Sequence, residues 1–166
     1  REARAAADLE IVRFLLFVER VSTSFWEQVV QRSALPEGAG ATLAADMARN
    51  EREHVELLER YERRLSRSQD APPQTNFGEV FAAGPREILR SGGLIANLAA
   101  AGYLGQANRI QDRNLLASVL AIHSVEGRQA AAVNRAAGEP NAVLPGGAFA
   151  EPMSMGQVRG RLRRFS

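Results

Sequence analysis

Met47-Ala48-Arg49-Asn50-Glu51-Arg52-Glu53-His54-Val55-Glu56-Leu57-Leu58 is the stretch on which the reading of the chain turns. Met47, Glu51, His54, Leu58, Tyr61 and Leu65 follow one another at alternating intervals of four and three. That spacing puts all six on one face of an α-helix. Four of them are the apolar or aromatic residues expected of a core stripe. The other two are a carboxylate and an imidazole, three residues apart. Burying an ionised carboxylate is costly unless it is paired or metal-bound. A helix that carries Glu-x-x-His on its inner face therefore predicts a polar centre inside an apolar bundle.

The same pattern recurs on either side. The segment from about Arg4 to Ser33 has no Gly or Pro and ends before Leu35-Pro36-Glu37-Gly38, a breaker cluster. Its stripe Val12, Leu15, Glu19, Ser22, Trp26, Val29 contains Glu19. At 1.5 Å per residue such a helix spans roughly 45 Å, a length suited to a bundle. The helix containing Glu51 and His54 runs from about Ala41 to Arg67, and a polar loop with Pro72-Pro73 follows it. Phe77 to Gly84 is a short connector without an assignable element. A third helix begins near Pro85, a favourable first-turn residue, and continues to about Asn108, with Gly92-Gly93 expected to kink or delay it. Gly102 and Gly105 mark a face that packs closely on a neighbour. A fourth helix runs from about Arg113 to Ala137, with Asp112 as N-cap and Gly138-Glu139-Pro140 as its stop. Its stripe Val119, Ile122, Glu126, Gln129, Val133 carries Glu126 and Gln129.

These elements predict an all-α fold, an up-down four-helix bundle with a loop-rich C-terminal tail. The bundle is expected over residues 1–140 and the tail over 141–166. A loop is expected around Pro145-Gly146-Gly147, and a short helix after Ser154, which has capping-box spacing to Gln157. In helices that alternate up and down, Glu19, Glu51, His54 and Glu126 meet at similar depth. The competing readings are a solvated intrahelical pair for Glu51 and His54, and a salt bridge to Arg20 or Arg128 for Glu19.

Composition narrows the function classes. The 166 residues contain no Cys, which excludes disulfides, cysteine nucleophiles and Cys-ligated metal clusters. All 21 basic residues are Arg, against 19 acids, for a net charge of +2. Nucleic-acid binding driven by bulk charge is therefore not expected. The absence of Lys removes Walker-type phosphate loops and Schiff-base chemistry. No apolar run approaches the roughly 20 residues of a membrane span. The chain begins at Arg1 rather than Met, as a processed product would. Two locations stay open: export after removal of a leader, or the cytoplasm. The Arg-rich end, Arg159 to Arg164, reads as a solvated helix end, and Trp26 and Tyr103 as core aromatics. Oligomeric state and protein partner are left open, a homo-oligomer among the options.

With these residues in view, the chain resembles the ferritin-like domain of bacterial proteins and plant desiccation-related proteins, over nearly its whole length. Val18-Glu19-Arg20-Val21-Ser22-Thr23-Ser24-Phe25-Trp26 parallels a Leu-Glu-Tyr-Leu-Glu-x-x-Phe-Tyr pattern. Glu51-Arg52-Glu53-His54-Val55 matches closely. Ala101-Gly102-Tyr103-Leu104-Gly105 matches an Ala-Tyr-x-Gly segment loosely. Ser124-Val125-Glu126-Gly127-Arg128-Gln129 is similar to Val-Glu-Ala-Arg-His, and the tail from Phe149 to Ser154 with Phe165 is similar to the usual ending. The resemblance implies a six-ligand di-iron set, from which this chain departs twice. Gln129 stands where the second histidine is expected, and Asn97 where the third helix offers a Glu. Glu19, Glu51, His54 and Glu126 remain as candidate ligands. His123 is a nearby imidazole, more simply read as a partly buried or exposed histidine. Amides are poor iron ligands, so the implied cofactor is either none or a single divalent ion, iron or manganese. The implied function is a non-catalytic structural, binding or stress-related role with a degenerate centre, with no catalytic residue assigned. The alternative is a metalloprotein with a reduced site that binds or oxidises iron or manganese. In a metal-free centre, Asn97 and Gln129 are expected to donate hydrogen bonds to the carboxylates.

Overall fold

The computed structural model describes residues 2–140 and 149–165. Among the described residues six α-helices follow one another: α1 (Glu2–Gln31), α2 (Ala39–Leu65), α3 (Gly78–Ala83), α4 (Pro85–Ala107), α5 (Arg113–Ala136) and α6 (Met155–Leu162). A 3₁₀ turn closes the chain at Arg163–Phe165. No strand occurs among the described residues. The fold is an all-α ferritin-like bundle built from α1, α2, α4 and α5.

Cross-helix pairs set the directions. Arg13–Glu62, Arg20–Glu59 and Arg52–Glu27 join α1 to α2 at 3.0–3.2 Å, with one number falling as the other rises. Asn134 donates to Asn97 at 3.1 Å and Arg90 pairs with Glu139 at 3.1 Å, so α4 and α5 are antiparallel too. Phe14 packs at Gly102 and Trp26 at Gly92, which makes α1 and α4 antiparallel. Tyr61 and Ser118 share a hydrogen bond of 2.9 Å, and His54 faces Glu126, which does the same for α2 and α5. Alternation thus holds between neighbours in space. Along the chain the order is up, down, down, up, because the long connection through α3 crosses from α2 to α4.

Local chemistry explains the helix ends. Asp112 accepts from Leu115 N at 2.8 Å and caps α5. Ser154 and Gln157 form the expected capping box. Ser33 stops α1 with a φ of 48°. The connector left unassigned contains α3, which contributes Val80 to the core. Gly92-Gly93 neither delays nor interrupts α4, which is continuous from Pro85. Both glycines serve close approach: a Cβ on Gly92 would lie 2.5 Å from Trp26 Cζ2, and one on Gly93 would collide with Asn134 Oδ1.

The C-terminal segment packs on the bundle. Met153 N donates to Ala101 O at 3.0 Å, Asn76 N donates to Phe165 O at 2.7 Å, and Val158, Leu162 and Phe165 are buried. Arg159, Arg161, Arg163 and Arg164 are exposed, as a solvated helix end would be, and Arg159 lies 4.5 Å over the Phe17 ring. The expected loop at Pro145-Gly146-Gly147 lies outside the described residues. None of the helices described is long and apolar enough to cross a membrane.

Candidate metal centre

Glu19 of α1, Glu51 and His54 of α2 and Glu126 of α5 meet in the middle of the bundle, all four buried. One ligand atom from each lies within 4.8 Å of the others. Helical periodicity turns Glu51 and His54 to one side of α2, and antiparallel packing brings Glu126 opposite His54 and Glu19 beside both. His54 Nδ1 lies 3.0 Å from Glu126 Oε1, 3.5 Å from Glu19 Oε2 and 3.9 Å from Glu51 Oε1. The solvated-pair and surface-bridge readings fail. Arg20 is engaged with Glu59 and the Asp70 carbonyl, and Arg128 with its own helix.

The convergence leaves ligand atoms idle. Glu19 Oε2, both oxygens of Glu51, both of Glu126 and His54 Nδ1 are buried without a well-formed hydrogen bond, the nearest approach being the ion-pair contact of His54 Nδ1 with Glu126 Oε1. Buried polar groups are normally satisfied, so these atoms, with one from each residue within 4.8 Å of the others, fit a cation that would accept their lone pairs. The donor set, three carboxylates and one imidazole, suits iron or manganese.

Electrostatics carry the same message. Burial pushes the Glu51 carboxyl well above the usual carboxylate range, and repulsion from Glu126 and Glu19 adds to it. Burial likewise lifts Glu126, with the Glu19 charge helping and His54 opposing, to about 7. Burial alone would lower His54, but the Glu126 and Glu19 carboxylates outweigh it and carry the imidazole up to about 10. Without a metal, the centre retains protons to balance its charge.

Tyr103 is more than a core aromatic. It is wholly buried, and its hydroxyl donates to Glu19 Oε1. Burial, first, and the Glu19 charge, second, raise the phenol well above its ordinary value. The signal was available: a Tyr on a buried face needs a partner for its hydroxyl, and the neighbouring helix offers an acid. Helical side chains lean toward the N-terminus, so Tyr103 reaches back along α4 over Ala99.

The two amides and the second histidine lie elsewhere than expected. Asn97 is exposed and accepts from Asn134, away from the centre. The α4 positions that share the inner face with Tyr103 are Ala96 and Ala99, both buried. α4 therefore sends Tyr103 to Glu19 but adds no carboxylate or imidazole to the four-residue group. Gln129 is buried beside the centre, one turn beyond Glu126, but both its amide atoms lack partners. Neither amide donates to a carboxylate. His123 is half-buried outside the four-residue group, as the plainer reading expected.

A search of curated proteins finds no match to the chain. A family model for the ferritin-like domain matches residues 7–139, a span that takes in all four large helices apart from the first turn of α1, and every residue of the carboxylate–histidine group. Bundle topology, inward Glu-x-x-His and this match agree, and the chain belongs to the ferritin-like domain family.

Proposed function

We propose that this protein holds a single divalent transition-metal cation, iron or manganese, in a reduced ferritin-like centre, in a binding, structural or stress-related role rather than as a di-iron oxidase. The observation that carries the reading is the convergence within 4.8 Å of one buried ligand atom from each of Glu19, Glu51, His54 and Glu126, among carboxylate oxygens that lack well-formed hydrogen bonds. When bound, the cation supplies the positive charge that lets three buried carboxylates stay ionised together. Glu51 and His54 hold it from α2, Glu19 from α1 and Glu126 from α5. Tyr103 fixes Glu19 by donating to its other oxygen. One cation rather than two follows from charge and from α4. Three carboxylates balance little more than one divalent ion, and Ala96 and Ala99 add no fourth acid.

A second reading has its own support. His54 Nδ1 stands 3.0 Å from Glu126, so a protonated imidazole and protons on two of the three carboxyls balance the centre without metal. The bundle then keeps a polar interior and serves as a binding or structural module. Elemental analysis separates the two, on the protein reconstituted with Fe2+ or Mn2+ beside Glu51→Ala/His54→Ala. One equivalent of metal that disappears in the variant, with a raised melting temperature on loading, supports the cation reading. No metal in either protein overturns it in favour of the metal-free centre.

A further inference from the structure

Gln129, like Ser22 on α1, is a buried polar residue of the bundle interior whose side chain the four-ligand set leaves unused. It is 6% exposed, and neither Nε2 nor Oε1 has a partner. Leaving both ends of a buried amide unpaired is costly, so the side chain awaits a group. Its position says which. Glu126 and Gln129 are three apart and share one face of α5, with Cβ atoms about 5–6 Å apart. The α2–α5 pairs Tyr61–Ser118 and His54–Glu126 continue in antiparallel register to set Gln129 opposite Glu51 and Asn50. Both Glu51 oxygens are idle there. Gln129 thus answers on α5 to what His54 does on α2, with a hard carbonyl oxygen in place of an imidazole nitrogen. Met47, Asn50 and Val125 flank it in a groove of about 340 Å³ along the α2–α5 seam.

We infer that Gln129 Oε1 is a fifth protein donor to the cation, and that this oxygen biases the centre toward Mn2+, a hard ion that suits carboxylate and carbonyl oxygens. The inference rests on the cation reading above. Zn2+, content with four ligands, is served by Glu19, Glu51, His54 and Glu126 alone.

The test is Mn2+ and Zn2+ titration of the wild type, Gln129→Met and Gln129→Glu, with water-proton relaxation counting the waters on bound Mn2+. In Gln129→Met, Mn2+ affinity is expected to fall about tenfold or more, with Zn2+ affected far less and one extra water on the ion. A residue that merely donated to Glu51 would not change the water count. Gln129→Glu is expected to tighten Mn2+ binding without adding a water, and it decides the matter should the Met variant fail to fold. Wild-type binding with unchanged affinity and hydration in the variants overturns the role of Gln129 and leaves the cation reading standing. A wild type that takes up neither ion overturns both.

Discussion

Glu51 and Glu53 are the same amino acid two positions apart, yet one is buried in the centre and the other exposed on the same helix. The difference is angular, because a step of two residues turns a side chain to the opposite side of α2. That is why Glu51 and His54 could be singled out from their stripe, whereas Asn97 could not be placed. Asn97 neighbours Ala96 on a helix dense in small residues, where a one-position error moves a side chain from core to solvent. Alanine and glycine pack on any face, so they did not mark which side was inner. Tyr103 shows the converse: its burial was legible, but its partner lies 84 positions away in sequence. Tyr103→Phe removes the donor and leaves Glu19 Oε1 buried and unpaired. It is expected to cost the metal-free protein about 1–3 kcal/mol, measured by urea denaturation, with little change in helix content.

Among the elements, the four long helices were legible within about two residues at their ends, because caps and breakers are local chemistry. Asp112 and the Ser154–Gln157 box form as their spacing predicts. Gly92-Gly93 was misleading for a physical reason. Glycine weakens a helix through backbone entropy, but here the missing Cβ makes room for Trp26, and packing outweighs propensity. Gly92→Ala is a better helix former in isolation and is nonetheless expected to destabilise the protein by about 1–3 kcal/mol, because Trp26 must shift. Thermal denaturation checks the sign: a variant as stable as the wild type would mean that α1 and α4 can move apart freely. The connector α3 escaped notice because six residues are too few to show a helical period.

Across the whole molecule, the buried centre sets a charge problem that pH exposes. Folded Glu126 keeps its proton up to about 7, whereas in the unfolded chain the carboxyl ionises near 4.5. The folded state therefore binds more protons over that window, and the metal-free protein is expected to lose stability as pH rises through it. A bound cation displaces those protons, so the loaded protein is expected to gain stability over the metal-free form as pH rises. Melting temperatures measured from pH 5 to 8, with and without Mn2+, check both slopes. The sequence alone determined the helical class, the helix ends, the ferritin-like resemblance and the four residues Glu19, Glu51, His54 and Glu126, because periodicity and capping act within a few residues. Tertiary structure decided the rest: which helices are neighbours, that α4 turns Ala96 and Ala99 rather than Asn97 inward, that Tyr103 holds Glu19, and that Gln129 stands unpaired beside the centre. Those outcomes depend on the rotation and register of one helix against another, which core packing sets only once the bundle has closed.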